Sequence, residues 1–98
     1  MRTLEHVKLS DEEIEQDLAH VPGWTLVEGQ LTKTFDFTDY LLGVDFALKV
    51  GREAEDLDHH PDIHITWRKV KVAVNTHSVG GISPFDFELA KRVDKLHD

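Results

Sequence analysis

The sequence predicts an α+β fold in which a four-stranded antiparallel sheet carries helices packed on one face. Two segments, 24–37 and 63–75, alternate apolar and polar residues around a central break, which is typical of hairpins with one buried face. Three other segments, 10–22, 38–57 and 83–96, repeat apolar residues at the spacing of a helix. The order is therefore α-β-β-α-β-β-α. A one-sided antiparallel sheet is the simplest arrangement that buries every apolar stripe.

The first helix has clear start and stop signals. Ser10 is a candidate N-cap, and Glu13, three residues later, completes a capping box. Pro22 and Gly23 mark the end of the helical pattern. The apolar residues between these signals follow at helical spacing: Ile14, Leu18 and Val21.

The first hairpin is predicted over 24–27 and 31–37, with its turn at Glu28-Gly29. In the return strand the apolar residues share one face, and the threonines and aspartate share the other. Lys33 breaks this pattern, because it falls on the apolar face.

The long central helix is predicted to run from Thr38 to about Leu57, with Thr38 as its N-cap. We expect it to end at the His59-His60-Pro61 triplet, since a residue before proline is disfavoured in the α region. Its predicted buried stripe consists of Leu42, Phe46, Val50, Ala54 and Leu57.

The second hairpin is predicted over 63–75, with a turn near Arg68-Lys69 that lacks the glycine or asparagine usual in tight turns. In the last helix, Ser83 is the predicted N-cap, Pro84 the first helical residue and Asp86 the third. The predicted apolar stripe of that helix consists of Phe85, Leu89, Val93 and Leu96.

Length and composition exclude several classes of protein. The 98 residues predict a single domain, 1–98, and the absence of cysteine excludes disulfide scaffolds and thiolate chemistry. A net charge of −8 disfavours direct binding to nucleic acid, because like charges repel. The N-terminal residues lack the apolar region of a signal peptide, and no apolar run approaches the length of a membrane helix. We therefore expect a cytoplasmic protein that does not enter the membrane.

Histidines are the most informative residues in the chain. Four of the 7 histidines lie close together in sequence: His59, His60, His64 and His77. The adjacent pair could be no more than a polar helix boundary, but imidazoles also exchange protons near neutral pH. A metal site is the rival hypothesis, because His60 and His64 have the i,i+4 spacing of helical zinc ligands. Pro61 lies between them and His64 alternates like a strand residue, so we predict no metal.

Three further residues have both a structural and a functional interpretation. Glu55 could be a solvated helix carboxylate, or it could orient His59 from the i,i+4 position. Asp86 has a structural reason to stand in the first turn of a helix, and it could also orient His77. Trp67 is predicted to be a packed strand residue rather than a stacking platform.

Together these residues resemble the pterin-4a-carbinolamine dehydratase family. The family motif joins an acidic or polar residue, a His-His-Pro triplet, an aromatic residue, a further histidine and an aspartate. In this sequence it reads Glu55, His59-His60-Pro61, Trp67, His77 and Asp86. The resemblance extends over nearly the whole chain, including the segment 76–81.

The resemblance implies a lyase that removes water from 4a-hydroxytetrahydropterin to give quinonoid dihydropterin, without a metal or other cofactor. It implies that His59 and His77 are the acid/base pair and that His60 positions the pterin. It also implies a supporting role for Glu55, Pro61, Trp67 and Asp86. The implied context is recycling of the tetrahydropterin used by aromatic amino acid hydroxylases.

Assembly and an alternative function follow from the same resemblance. Members assemble as dimers or tetramers, and a small chain with a one-sided sheet gains stability by burying more surface in a partner. We therefore expect a homodimer or homotetramer. Some relatives also act as dimerisation cofactors of a transcription factor. A non-catalytic or bifunctional interaction module is thus the alternative, and the motif does not separate the two.

Overall fold

The computed structural model describes residues 2–97, which form three α-helices and a four-stranded antiparallel sheet in the predicted α+β order. The spatial order of the strands is β1-β2-β4-β3, so β1 and β3 are the edges. A short 3₁₀ turn, His77–Val79, precedes the last helix. The helices are α1 (Asp11–Leu18), α2 (Tyr40–Leu57) and α3 (Pro84–His97), and the strands are β1 (Thr25–Val27), β2 (Gln30–Asp36), β3 (Asp62–Ile65) and β4 (Lys69–Val74).

The core lies between one face of the sheet and the helices. Strand β4 presents three fully buried valines to it, while Lys69 and Lys71 point to the open face. Burying a side chain of this size stabilises the fold by about 1.5–3 kcal/mol. Helices α2 and α3 supply the facing layer, whose buried members include Phe46, Val50, Ala54, Leu89 and Val93. No helix within residues 2–97 is long and apolar enough to span a membrane.

The lysine that breaks the pattern of β2 is accommodated by an ion pair. Lys33 lies on the apolar face, but its Nζ reaches the Oδ1 of Asp94 in α3 at 3.0 Å. The indole Nε1 of Trp24 donates to the same oxygen at 2.9 Å. Long side chains can bury their carbon stems and keep the charge paired. Asp94 therefore joins α3 to the first hairpin.

The ends of the first two helices show which capping predictions were right. The Ser10–Glu13 capping box is present, and the Ser10 amide lowers the pKa of Glu13 by hydrogen bonding to its carboxylate. The stability that this hydrogen bond provides is present above the pKa that Glu13 has in the unfolded chain. It is lost as the pH falls through the lower pKa of Glu13 in the folded protein. The prediction for α2 was wrong by one residue. Asp39, not Thr38, is its N-cap, because the Asp39 Oδ1 accepts a hydrogen bond from the Leu42 amide at 2.9 Å.

Two predicted core residues lie elsewhere. Leu42 is 49% exposed, because the buried face of α2 is turned toward Gly43 and Phe46 instead. In α3, Phe87 is buried and Phe85 is only partly covered. Both aromatic residues fit a helical period, so the period alone does not decide which of them faces the core.

We expect Asp94→Ala to lower the free energy of unfolding by about 1–3 kcal/mol, because it leaves Trp24 and Lys33 without their shared acceptor. Asp45→Ala is the matched control, since it removes an exposed i,i+4 ion pair with Lys49. That change should stay within about 0.5 kcal/mol. Urea unfolding followed by tryptophan fluorescence measures both. Equal losses in the two variants would contradict the role given to Asp94.

Candidate active site

The candidate site begins where α2 ends. Asp58 adopts a left-handed conformation, with φ of 53°, and its amide bonds to the Ala54 and Glu55 carbonyls. The amide of His59 also donates to the Ala54 carbonyl, at 2.9 Å. These bonds end the helix before the histidine pair. As a result His59 turns inward and is 9% exposed, while His60 stays exposed.

A buried carboxylate holds the inward histidine. Asp86, in the first turn of α3, is 0% exposed, and its Oδ1 lies 2.6 Å from the Nε2 of His59. Its Oδ2 accepts from the Thr76 hydroxyl at 2.8 Å and from the Ser83 amide at 2.9 Å. Asp86 therefore makes the structural contact expected at a helix start, and it also orients an imidazole. That imidazole belongs to His59, not to His77.

The hydrogen-bond pattern around Asp86 determines which nitrogen of neutral His59 carries the proton. A carboxylate only accepts, so the Nε2 of His59 must donate to it. Among residues 2–97 no hydrogen bond engages the Nδ1 of His59, and that nitrogen keeps some contact with solvent. Neutral His59 therefore has one nitrogen fixed by Asp86 and the other open, with a lone pair.

His60 pairs with Glu55, which the sequence offered either as a solvated carboxylate or as a partner of His59. The Nε2 of His60 contacts the Glu55 Oε2, and both side chains are largely exposed. The alternative i,i+4 contact between Glu55 and His59 is absent, because the left-handed Asp58 interrupts the helical geometry. Glu55 thus orients the exposed histidine, and Asp86 orients the buried one.

His77 begins the 3₁₀ turn that follows β4. Its neighbour Thr76 forms a bridge with Gly81, in which the Thr76 amide donates to the Gly81 carbonyl at 2.8 Å. The left-handed Gly80, with φ of 68°, closes the loop. The Thr76 hydroxyl is bonded to Asp86, so His77 follows directly in sequence on the network that holds His59, and its own side chain is exposed.

The two other predicted site residues differ in position. Pro61 follows the histidine pair directly and leads into β3. Trp67 was predicted to be a packed strand residue, but it lies in the turn between β3 and β4 and is 72% exposed. Its ring stands 4.9 Å from the Arg68 guanidinium. The hairpin register puts this turn at the end opposite Pro61, about four strand residues of 3.3 Å away.

Two residues of the network were not predicted to belong to the site. Thr76 and Ser83 are buried, and their hydroxyls lie 2.6 Å apart. Since Thr76 donates to Asp86, Ser83 is the donor between these two hydroxyls. Ser83 was predicted only as a helix cap, and its position three residues before Asp86 is the signal that could have linked them.

The arrangement provides one fixed imidazole with an open nitrogen and two exposed imidazoles. Groups of this kind donate and accept protons near neutral pH. Within residues 2–97 no three histidine, aspartate or glutamate side chains are grouped as metal ligands.

Sequence comparison identifies a family. A family model described as pterin 4 alpha carbinolamine dehydratase matches residues 7–96. A protein from Sulfolobus acidocaldarius, provisionally named a pterin-4-alpha-carbinolamine dehydratase, is 38% identical over 90 residues, covering 92% of this chain and 99% of that protein. A protein of the same provisional name from Thermosynechococcus vestitus is 43% identical over 89 residues, covering 91% and 94%.

Solved structures share the fold. A crystal structure described as a transcriptional coactivator/pterin dehydratase from Brucella melitensis matches with a TM-score of 0.87 and 29% identity, covering 93% of this chain and 99% of that one. A pterin dehydratase-like protein, described as a RuBisCO assembly factor in the alpha-carboxysome, matches with a TM-score of 0.65 and 23% identity, covering 80% and 93%. The second match concerns the fold alone.

We expect Asp86→Ala to lower the free energy of unfolding by about 3 kcal/mol or more, because His59, Thr76 and the Ser83 amide lose a buried acceptor together. Glu55→Ala removes an exposed carboxylate from the same site and should change stability by less than about 1 kcal/mol. Urea titration of both variants measures the difference. Similar losses would mean that the buried network does not stabilise the fold.

Proposed function

Since the chain belongs to the pterin-4α-carbinolamine dehydratase family, we propose that it is a hydro-lyase acting on 4a-hydroxytetrahydropterins. The product would be a quinonoid dihydropterin, which a reductase returns to the tetrahydropterin used by aromatic amino acid hydroxylases. We propose that residues 1–98 act as one domain, in the cytoplasm. The observation that carries this proposal is His59, with one nitrogen bonded to buried Asp86 and the other open.

The proposed reaction is a proton-assisted loss of water. The carbon–oxygen bond at position 4a breaks, and the leaving hydroxyl takes up a proton to become water. The neighbouring ring nitrogen loses its proton, and a carbon–nitrogen double bond forms. One group must donate a proton and another must accept one, each contributing about 10²–10⁴-fold. Two imidazoles meet this need near neutral pH without a cofactor.

We assign the proton transfers to His59 and His77. The support for His59 is its fixed orientation, since the Asp86 carboxylate accepts from Nε2 and stabilises the imidazolium that forms when Nδ1 takes a proton. The support for His77 is its exposure beside Thr76, on the loop bonded to the same carboxylate. Which histidine is the acid and which the base depends on the face of the pterin that each one meets.

His60 is proposed to position the pterin rather than to transfer its proton. Its imidazole is exposed and its orientation is set by Glu55, so it presents an oriented polar group at the surface of the site. Asp86 and Pro61 support the site by holding the two segments that carry the histidines. Trp67 supports it only through the hairpin turn, because it lies at the far end of β3 from Pro61.

The proposed function is tested by mixing the purified protein with a freshly generated 4a-hydroxytetrahydropterin and following its dehydration. The uncatalysed loss of water is measured in parallel and subtracted. We expect a rate well above this background, unchanged after treatment with a metal chelator. A rate equal to the background would contradict the proposed function, and loss of the rate on chelation would contradict the metal-free mechanism.

Substitution of the histidines should separate their roles. We expect His59→Ala and His77→Ala to lower kcat by about 10²-fold with little change in KM, because each removes a proton-transfer group. His60→Ala should raise KM more than it lowers kcat. His64→Ala is the control, since His64 is exposed on β3 and lies outside the motif. Damage by His64→Ala equal to that by His77→Ala would overturn the assignment.

An interaction module, acting as a dimerisation cofactor of a transcription factor, is the second candidate function. The observation that favours it is a cluster of exposed apolar side chains on α2, because clusters of this kind mark contact surfaces. The Brucella melitensis structure is described as a coactivator as well as a dehydratase. Leu41 and Leu48 lie on the same side of the helix, seven residues apart, and Tyr40 and Leu42 are exposed on either side of Leu41. The net charge of −8 favours a protein partner over nucleic acid.

We also propose that the chain forms a homodimer or homotetramer, which would cover the same α2 cluster. Sedimentation at micromolar concentration should give a mass above that of one chain. Leu41→Asp with Leu48→Asp should shift it toward the monomer, because a buried charge opposes association. Leu4→Asp, which adds a charge at another exposed leucine, should have no such effect. A monomeric wild type would contradict the proposal.

A further inference from the structure

Three rings from separate parts of the chain, those of His6, Phe85 and His59, lie in contact. The His6 ring, from the segment before α1, stacks on Phe85 with centroids 4.5 Å apart and planes 25° apart. Phe85, in the first turn of α3, lies 5.7 Å from the His59 ring at 35°. Phe85 was predicted to be a core residue, but Phe87 fills that place. The only ring contacts of Phe85 among residues 2–97 are with these two histidines.

The segment that carries His6 is fixed to the loop of the candidate site. Leu9 is buried, and its amide donates to the Ile82 carbonyl at 2.8 Å. The side chain of Lys8 runs over Gly81, where an added Cβ would lie 2.9 Å from the Lys8 Cε. His6 therefore lies three residues from a buried residue whose backbone is hydrogen-bonded to the loop, which limits how far the His6 ring can move away from Phe85.

The hydrogen bond from His59 to Asp86 leaves one degree of freedom open. The Asp86 Oδ1 at 2.6 Å and the Thr76 Oγ1 at 3.3 Å both contact the ring at Nε2, so they fix one edge of the ring but leave it able to tilt about that nitrogen. Phe85 precedes Asp86 in the sequence, and consecutive helical residues project about 100° apart. The first turn of α3 thus contacts His59 twice, at its nitrogen and against its ring.

We propose that Phe85, held in place by His6, is a positioning residue that sets the plane of the His59 imidazole. Its catalytic consequence rests on the proposed function, in which the open Nδ1 of His59 must be aimed at the pterin. The N-terminal segment is then part of the site, although it lies outside the histidine motif. His6 acts through Phe85, and Phe85 acts through His59.

The test compares Phe85→Ala, Phe85→Leu and His6→Ala in the full chain, with His20→Ala as the control. His20 is another exposed histidine and makes no ring contact with Phe85. Imidazole nitrogen NMR spectra of ¹⁵N-labelled protein report the tautomer and environment of His59 directly. Dehydration kinetics give kcat and KM for the same samples, and urea unfolding shows that each variant is folded.

We expect Phe85→Ala to shift the His59 nitrogen signals, because the ring changes its environment and tilt while Asp86 still sets its tautomer. It should also lower kcat roughly tenfold, with KM little changed, because misplaced groups lose rate steeply. Phe85→Leu, which keeps the bulk but loses the ring, should have a smaller effect of the same kind. His6→Ala should resemble Phe85→Leu. His6→Phe, which can still stack, should restore both readouts, and His20→Ala should change neither.

Unchanged His59 signals in Phe85→Ala and His6→Ala would overturn the proposal. If Phe85→Ala fails to fold, two milder variants still test the proposal. His6→Ala changes an exposed residue, and Phe85→Leu keeps most of the side-chain volume. If the wild-type protein shows no dehydration above background, the proposed function fails, and the nitrogen spectra alone decide whether Phe85 orients His59.

Discussion

The carboxylate of Asp86 is the constraint on which the rest of the structure depends. It is fully buried and accepts hydrogen bonds from His59, Thr76 and the Ser83 amide. A buried charge is strongly unfavourable unless its oxygens are satisfied. The end of α2, the exit from β4 and the start of α3 must therefore meet at one point. The bonds that stabilise this junction are the same ones that fix the His59 tautomer, so fold and site share one set of interactions.

The fold could be predicted well because each element has its own period of apolar residues, and most have residues that mark where they begin and end. What the sequence does not contain is the neighbour that each side chain will meet. Lys33 breaks the apolar pattern of its strand, and only the position of Asp94 in α3 explains how its charge is accommodated. Phe85 and Phe87 both suit a helix, and only the packing of α3 in the folded chain selects Phe87 for the core. Trp67 continued the alternation of its strand, but the chain turns two residues earlier, without a glycine to mark the place.

The candidate site was predicted at the level of residue types and missed at the level of partners. Glu55 and His59 have the right spacing for contact on a continuous helix, but the left-handed Asp58 ends the helix before His59. Glu55 contacts His60 instead. The pairing of His59 with Asp86 spans the whole second hairpin. It depends on strand register and on the loop before α3, and neither can be counted along the chain. Partners that are distant in sequence are set by tertiary structure, which local patterns do not encode.

The central pairing of β2 with β4 has a consequence for how the molecule comes together. Leu31 lies opposite Val74, so this ladder forms only after the chain between them, with all of α2 and β3, has closed into a loop. Such distant pairings carry a high entropic barrier and slow the search for the native state. Helices and the second hairpin can form early from local contacts. The approach of His59 to Asp86 spans that hairpin and requires α3 to fold back onto the end of α2, so the proton-handling geometry arises from tertiary contacts and not from any one element.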